Sequence, residues 1–199
     1  MTWVKVCGLT SRGDVLCAAA AGADALGFNT IPASPRRVDE RAIARLIDGV
    51  DVASFLLTAD LGVEEVLSAA GSCGVTGIQP YGDGAAEVAE AAARAGYEVL
   101  LPVRPSPGVV AAPPSPGARF LFDTPGGVLG GSGEAFDWSL VAEEDHGFVL
   151  AGGLGPDNIG RAVRAVRPWG VDAASRLEAG PGVKDPVKVA AFIERAKTA

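Results

Sequence analysis

Short apolar segments alternate along the whole chain with longer, alanine-rich amphipathic segments, and a glycine-rich or polar turn separates each from the next. Several of the short segments are apolar at consecutive positions, as in Phe120-Leu121-Phe122. That pattern is typical of strands buried on both faces of a parallel sheet. The short segments predict eight β-strands, at residues 2–7, 24–28, 51–57, 75–79, 97–103, 118–123, 147–151 and 170–174.

The amphipathic segments predict helices between most of these strands. Their starts carry residues suited to capping, and Pro186 suits a first helical turn. The predicted caps are Asp39, Asp83, Asp157 and Asp185, and the predicted helices span 12–21, 39–47, 62–71, 84–95, 157–166 and 186–197. Residues 105–117 carry too many prolines for a normal helix, and residues 138–145 suit only a short one.

Strand–helix alternation predicts an α/β protein with a parallel sheet. Eight units predict closure into a single (β/α)8 TIM barrel, with reduced helices after strands five and six. The 199 residues lie near the lower limit for that fold, about 200. No linker or composition shift divides the chain, so residues 1–199 are expected to form one domain. An open, doubly wound sheet with fewer strands is the alternative.

Composition and charge narrow the function further. The 17 basic and 24 acidic residues give a net charge of −7, which disfavours a non-specific binder of nucleic acid or of an anionic membrane. Cys7, Cys17 and Cys73 do not form a disulfide framework, and with His146 as the single histidine they form no zinc pattern, so no metal is expected. The first residues do not resemble a signal peptide, and no apolar run approaches the ~18 residues of a membrane span. A cytoplasmic enzyme or binding protein is expected.

Two candidate proton-transfer groups stand at strand ends, where barrels of this type carry their chemistry. Cys7 ends strand one, and its thiolate could accept a proton if nearby cations or dipoles lower the pKa. Asp123 ends strand six before the glycine-rich loop 125–133, and beside an apolar wall its carboxyl could act as a general acid. The alternatives are a small buried hydrophobic residue for Cys7 and a loop-capping residue for Asp123.

Candidate anion-binding residues follow three other strands. Arg36 lies in the loop after strand two, where its planar guanidinium could pair with a carboxylate or phosphate or could instead face solvent. Gly152-Gly153 follows strand seven and lets the backbone approach an anion closely. Ser175-Arg176 follows strand eight, the other turn at which barrels commonly bind phosphate. These segments predict a phosphorylated, sugar-like ligand at the carboxyl ends of the strands.

With these segments in order, the chain resembles the phosphoribosylanthranilate isomerase family of tryptophan biosynthesis over nearly its whole length. The resemblance rests on Lys5-Val6-Cys7-Gly8-Leu9-Thr10, Ala23-Asp24-Ala25-Leu26-Gly27-Phe28, Ser34-Pro35-Arg36, Phe136-Asp137-Trp138, Ala151-Gly152-Gly153-Leu154, Asn158 and Pro181-Gly182-Val183-Lys184-Asp185. It implies an Amadori rearrangement of a phosphoribosyl aminoaldose to the aminoketose without a cofactor. It also implies that the partner is a small-molecule phosphorylated sugar and that the protein binds neither nucleic acid nor a membrane. The protein would be a monomer or a homodimer.

The resemblance further implies residue roles. Cys7 would be the base, Asp123 the acid, and Arg36 the group that holds the anthranilate carboxylate. The turns at Gly152-Gly153 and Ser175 would hold the phosphate, and Gln79 at the end of strand four would contact the substrate.

The chain departs from the family pattern in several places: Gly130-Gly131-Ser132-Gly133 keeps the family's Gly-Gly-Thr-Gly conservatively after an extra Gly126-Gly127, and Asn29-Thr30 replaces an apolar pair. Two further departures fall at candidate site positions. Gln79-Pro80-Tyr81-Gly82 stands where the family has Gln-Leu-His-Gly, and Arg176 replaces the glycine of the family's Ser-Ser-Gly-Val-Glu. Arg176 could bind the phosphate, bind another anionic group or point to solvent. Two alternatives to the isomerase therefore stay open: a divergent member acting on a related aminosugar phosphate, and a catalytically silent barrel that binds a ligand.

Overall fold

The computed structural model of the protein describes residues 1–105, 113, 117–123, 137–142 and 147–199. Eight parallel strands close into a barrel in chain order, with β8 hydrogen-bonded to β1. The strands are β1 Trp3–Val6, β2 Ala25–Asn29, β3 Ala53–Ala59, β4 Gly77–Tyr81, β5 Glu98–Val103, β6 Ala118–Phe122, β7 Val149–Leu150 and β8 Gly170–Ala173. The predicted barrel is confirmed. The open sheet is excluded, because the hydrogen bonds between β8 and β1 close the sheet and leave no edge strand.

Helices connect the strands close to where the sequence predicts them. They are α1 Arg12–Ala20, α2 Glu40–Ile47, α3 Val63–Cys73, α4 Ala85–Arg94, α5 Ile159–Val166 and α6 Pro186–Thr198. Asp185 caps α6 as predicted, since its carboxylate accepts from the backbone of Val187 at 2.9 Å.

Asp39 occupies the N-cap position of α2 as predicted, although its side chain makes no capping hydrogen bond. The other two predicted caps are wrong by one residue. Gly84 and Asn158, rather than Asp83 and Asp157, occupy the N-cap positions of α4 and α5. A one-residue shift of this kind is the usual error when helix ends are placed from sequence.

The connections after β5 and β6 are described only in part. A 3₁₀ helix, Trp138–Val141, lies within the predicted short helix 138–145. Most of 105–117, the loop 125–133 and His146 lie outside the described residues. The sequence did not indicate the antiparallel hairpin of β9 Glu178–Gly180 and β10 Val183–Lys184, which follows the 3₁₀ turn Ser175–Leu177 after β8.

The barrel interior is apolar toward the amino ends of its strands and polar at their carboxyl ends. Phe55 fills the centre because Gly77 on β4 leaves room for it; a Cβ there would stand 2.4 Å from the ring. Trp3 and Trp169 stack with centroids 5.0 Å apart near the amino ends of β1 and β8. Ionisable groups of the interior therefore lie near the carboxyl ends of the strands, in the part called the upper barrel below.

A second apolar layer packs the helices against the outside of the barrel, and Phe28, Leu56 and Phe122 are fully buried in it. Each such side chain contributes about 1.5–3 kcal/mol by leaving water. No helix in the described part of the chain is long and apolar enough to cross a membrane.

Candidate active site

The carboxyl ends of the strands surround a cavity of about 160 Å³. It brings together three of the predicted site residues, Cys7, Arg36 and Asp123. It is also lined by Tyr81 and Asp172, which the sequence analysis did not assign to the site. A larger surface hollow of about 720 Å³ beside α2 contains none of the predicted residues, so the smaller cavity is the one that matches the expected chemistry.

Cys7 follows directly after β1 and is buried. Gly27 on β2 makes room for it, since a Cβ at this glycine would lie 2.7 Å from Cys7 Sγ and 3.1 Å from Lys5 Cε. Lys5 is fully buried, and its Nζ donates to Asp172 Oδ1 at 3.1 Å across the β1–β8 pair. A thiol, an ammonium group and a carboxylate therefore share the upper interior of the barrel.

Burial and charge act in opposite directions on these groups. Burial raises the pKa of the Cys7 thiol and the Asp172 carboxylate adds to that rise, while Lys5 and Lys184 oppose it. Burial lowers the pKa of Lys5, but the attraction of Asp172 and Cys7 outweighs it and the net shift is upward. Lys5 is therefore a cation, and Cys7 is a protonated thiol near neutral pH.

Gln79 and Tyr81 form a hydrogen-bonded pair on β4. Gln79 Nε2 donates to Tyr81 Oη at 2.7 Å, and Gln79 is only 1% exposed. Gln79 Oε1 is buried without a hydrogen-bond partner among the described residues. Burial, followed by the negative charges of Asp123, Cys7 and Asp172, raises the pKa of the Tyr81 phenol well above its usual value.

Arg36 is held rigidly at the cavity wall by the hairpin after β8. Its Nε and Nη2 donate to Glu178 Oε1 and Oε2 at 2.7 and 2.9 Å. Lys184 Nζ donates to the same Oε1 at 2.9 Å. Gly8, at φ +72°, lets the Arg36 side chain cross above β1, since a Cβ there would stand 2.5 Å from Arg36 Cδ. Arg36 is thus not the solvated surface arginine of the alternative interpretation.

The two cations together determine the charge of Glu178. Burial would raise the pKa of its carboxyl, but the hydrogen bonds and charges of Arg36 and Lys184 lower it. Burial also lowers the pKa of Lys184, against the raising effect of Glu178. Two cations thus share one carboxylate, which leaves a net positive patch at this edge of the cavity.

The glycine turn after β7 has a left-handed backbone at both glycines. Gly152 and Gly153 have φ of +79° and +59°, values that favour glycine. Asn158 stabilises the turn by donating to Gly153 O at 2.9 Å and accepting from Gly155 N at 2.8 Å. The turn leads into the amino end of α5, where backbone N–H groups favour anions.

Arg176 lies against this turn. It belongs to the 3₁₀ turn Ser175–Leu177 and donates from Nη1 to Gly153 O at 3.1 Å and from Nη2 to Asp157 Oδ2 at 2.6 Å. Its side chain is 34% exposed. The 3₁₀ conformation removes the need for glycine at this position, and the guanidinium does not simply point to solvent.

Besides Tyr81, sequence reasoning missed four charged site groups: Lys5, Asp172, Glu178 and Lys184. A signal for two of them was present, because Val4-Lys5-Val6 and Val171-Asp172-Ala173 place a charge inside an otherwise apolar strand. Such a charge must be paired when it is buried. Within the described ranges, no three His, Cys, Asp or Glu side chains are grouped so that they could hold a metal ion.

The closed parallel barrel, with a thiol, a carboxyl and a clamped arginine above its strands, defines a (β/α)8-barrel enzyme. The family model for N-(5′-phosphoribosyl)anthranilate (PRA) isomerase matches residues 4–195. The chain belongs to this family, and the resemblance noted in its sequence is confirmed.

Similar proteins span the whole chain. The N-(5′-phosphoribosyl)anthranilate isomerase of Deinococcus radiodurans is 43% identical over 98% of this chain and 96% of its own length. The crystal structure of phosphoribosyl anthranilate isomerase from Thermotoga maritima is 31% identical and superposes with a TM-score of 0.87 over 100% of both chains. Another, in complex with reduced 1-(o-carboxyphenylamino)-1-deoxyribulose 5-phosphate, is 29% identical with a TM-score of 0.84 over 100% of both chains.

Proposed function

We propose that this chain converts N-(5′-phosphoribosyl)anthranilate to 1-(o-carboxyphenylamino)-1-deoxyribulose 5-phosphate, by an acid–base Amadori rearrangement that needs no cofactor. The observation that carries the proposal is that Cys7, Asp123 and Arg36 line one cavity in a member of this family. The reaction needs an acid and a base on different sides of the sugar. Residues at the ends of β1 and β6, which β7 and β8 separate in the closed barrel, can meet that need.

Asp123 is the acid and Cys7 the base in this proposal. Asp123 protonates the furanose ring oxygen, and the C1–O bond breaks to give an open-chain iminium ion. Cys7 then takes the proton from C2, and the resulting enolamine tautomerises to the ketone. The substrate and product are isomers, so the protons taken up and released balance over the cycle.

The timing of charge explains how a protonated thiol can serve as the base. Burial and Asp172 favour the protonated thiol of Cys7. The iminium ion then places a positive charge beside the sulfur, which favours the thiolate, so the thiol proton passes to solvent before Cys7 takes the proton from C2. Lys5, fixed by Asp172 at 3.1 Å, supplies a second positive charge that is present throughout.

The remaining residues bind the two anionic ends of the substrate. Arg36 and the positive patch that it shares with Lys184 hold the anthranilate carboxylate. Gly152, Gly153, Ser175 and Arg176 hold the phosphate at the amino end of α5. We expect Gln79 to contact the sugar between these ends, where its Oε1, which has no hydrogen-bond partner among the described residues, can accept a hydroxyl hydrogen.

The test is turnover of freshly made phosphoribosylanthranilate, followed as loss of its fluorescence. We expect fast turnover that both Cys7→Ala and Asp123→Asn abolish, because each removes one of the two proton-transfer groups. Circular dichroism of both variants should match that of the parent protein. Absence of turnover from the folded parent would overturn the proposal. The search would then turn to related aminosugar phosphates, with Arg176 and Tyr81 as the residues that differ from the family pattern.

We further infer that residues 1–199 act as one domain in the cytoplasm, as a monomer or homodimer. The family match over residues 4–195 supports the single domain. Sedimentation at several concentrations measures the oligomeric state, and the domain inference requires a single cooperative unfolding transition.

A further inference from the structure

Asn29 ends β2 and faces the interior of the barrel. Successive side chains of a strand point to opposite faces of the sheet. Phe28 packs outside the barrel with the helices, and a Cβ at Gly27 would lie 2.7 Å from Cys7 Sγ inside it. Asn29 therefore points inward, nearer the carboxyl end of the strand. It lines the cavity together with Cys7 and Arg36 and is only 7% exposed.

The amide of Asn29 has a fixed orientation. The backbone N–H of Ile31 donates to Asn29 Oδ1 at 2.8 Å. A backbone N–H can only donate, so the atom that it meets is the amide oxygen, and the amide nitrogen occupies the other corner. Among the described residues, nothing accepts a hydrogen bond from Nδ2, yet the fold does not enclose this atom completely. Asn29 thus offers the cavity a hydrogen-bond donor that is already in place.

The loop that carries Arg36 returns to the end of β2. Val38 N donates to Asn29 O at 2.8 Å, and Arg37 pairs with Asn29 in a parallel bridge. Arg36 directly precedes this bridge, and its side chain crosses above Gly8, which follows the adjacent strand β1. The Asn29 amide and the Arg36 guanidinium therefore belong to the same wall of the cavity.

Arg36 alone does not complete a carboxylate site. Its Nε and Nη2 already donate to Glu178, so this edge of the guanidinium is occupied and only the N–H groups at its end remain for a ligand. A carboxylate has about four acceptor positions. In a buried site, a position that no donor fills loses its water without compensation. A second donor beside Arg36 would fill one of these positions.

We propose that Asn29 is a second binding residue for the ring carboxylate of the substrate, to which its Nδ2 donates alongside Arg36. This inference rests on the proposed isomerase function and names a group that completes its carboxylate site. A hydrogen bond to an ionised acceptor is about twice as strong as one between neutral groups. Because the amide is uncharged, it adds this donor without altering the charge balance of Arg36, Lys184 and Glu178.

The experiment measures the binding of two probes by calorimetry. The first is reduced 1-(o-carboxyphenylamino)-1-deoxyribulose 5-phosphate, the ligand in the crystal structure of a similar protein. The second is the same molecule without the ring carboxyl group. Asn29→Val removes the donor, so we expect the dissociation constant of the first probe to rise about 10- to 100-fold and that of the second to change by less than about threefold.

Thr30→Val is the matched control. Thr30 is the next residue along the chain, but its Oγ1 already donates to Leu57 O at 2.9 Å and it does not line the cavity. This variant should bind both probes as the parent does. Asn29→Asp separates the donor from the turn, because one carboxylate oxygen can still accept from Ile31 N while the other replaces Nδ2. It should weaken the first probe more than Asn29→Val does, since two carboxylates then meet.

Equal affinity of the parent and Asn29→Val for the first probe would overturn this inference. An equal loss for both probes would also overturn it, because the amide would then contact another part of the ligand. If Asn29→Val does not fold, Asn29→Asp decides the matter: it must weaken the first probe at least about tenfold more than the second. Failure of the parent to bind the first probe would instead count against the proposed function, and this inference would be lost with it.

Discussion

Arg176 and Asp157 form an ion pair of 2.6 Å that lies across the glycine turn after β7. The same guanidinium donates to Gly153 O at 3.1 Å, so it is held at the turn by one charged and one neutral acceptor. A substrate phosphate bound at this turn would meet a guanidinium already in place. It would also compete with Asp157 for it.

Arg176→Ala should therefore weaken substrate binding more than catalysis. A hydrogen bond to a charged group contributes about 1.5–3 kcal/mol, so we expect KM to rise about 10- to 100-fold with kcat nearly unchanged. Asp157→Asn should lower KM modestly, because it removes the competing carboxylate. Steady-state kinetics on the two variants test both expectations.

A matched control is Arg164→Ala, which removes the same charge from α5, outside the turn. Its KM should equal that of the parent. Equal KM values for the parent and Arg176→Ala would show that Arg176 only remodels the turn. Stability should change little in either case, since a partly exposed pair contributes about 0–1 kcal/mol.

The sequence predicted the barrel because a local pattern repeats eight times and closure follows from that repeat. It predicted Cys7 and Asp123 as site residues because both stand at strand ends. It could not predict the pairing of Arg36 with Glu178, which are 142 residues apart and meet only because the hairpin after β8 folds back toward the loop after β2. The pairing of Arg176 with Asp157 could not be predicted either. It depends on the 3₁₀ turn Ser175–Leu177, in which Arg176 stands where the family pattern has glycine.

The buried pair of Lys5 and Asp172 should dominate the stability of the upper barrel. Asp172→Asn leaves a fully buried ammonium group without its carboxylate, and breaking a buried pair in this way costs about 3–5 kcal/mol. The double variant Lys5→Met/Asp172→Leu should regain most of that loss, since it leaves no unpaired charge. Urea unfolding of the parent, the single variant and the double variant measures the difference.

Asp157→Asn again serves as the control here, because its carboxylate is 66% exposed. Its free energy of unfolding should lie within about 1 kcal/mol of the parent. A similarly small effect of Asp172→Asn would mean that Lys5 loses its proton or reaches water in the variant.

The thiolate fraction of Cys7 should keep rising with pH into the alkaline range. The Cys7 pKa is raised by burial and by Asp172, so this fraction grows tenfold per pH unit on the acid side of the shifted value and levels off above it. The ultraviolet absorbance of the thiolate, taken as the difference between the parent and Cys7→Ala, measures it across pH 6–10. Turnover does not report it alone, because the proposed reaction also needs protonated Asp123.

Cys17→Ser is the control for this profile. Cys17 lies on α1, and its thiol also has a pKa raised by burial and by Asp14, but it does not line the cavity. The Cys7 titration should be the same when Cys17→Ser is introduced into both the parent and Cys7→Ala. A thiolate signal that levels off at about pH 6 or below would contradict a raised pKa for Cys7.

Glu178 should act as a positioning residue for Arg36 and show its effect in both binding and acid stability. Glu178→Gln keeps the shape but cannot neutralise Arg36 and Lys184 together, so Arg36 loses its bidentate clamp. We expect KM to rise about tenfold, with a smaller change in kcat. The matched variant Glu178→Asp, which keeps the charge on a shorter side chain, should recover part of the loss.

The pH dependence of the free energy of unfolding distinguishes the contribution of the Glu178 charge from the contribution of its side-chain packing. The pKa of Glu178 is lowered in the fold, so its contribution to the free energy of unfolding is complete above the unfolded value near 4.5 and declines as pH falls through the lower folded value. Urea unfolding at pH 7 should therefore show Glu178→Gln destabilised by about 2–4 kcal/mol, and the gap should narrow toward pH 3. A gap that is the same at both pH values would mean that the carboxylate charge contributes nothing and that Arg36 is held by shape alone.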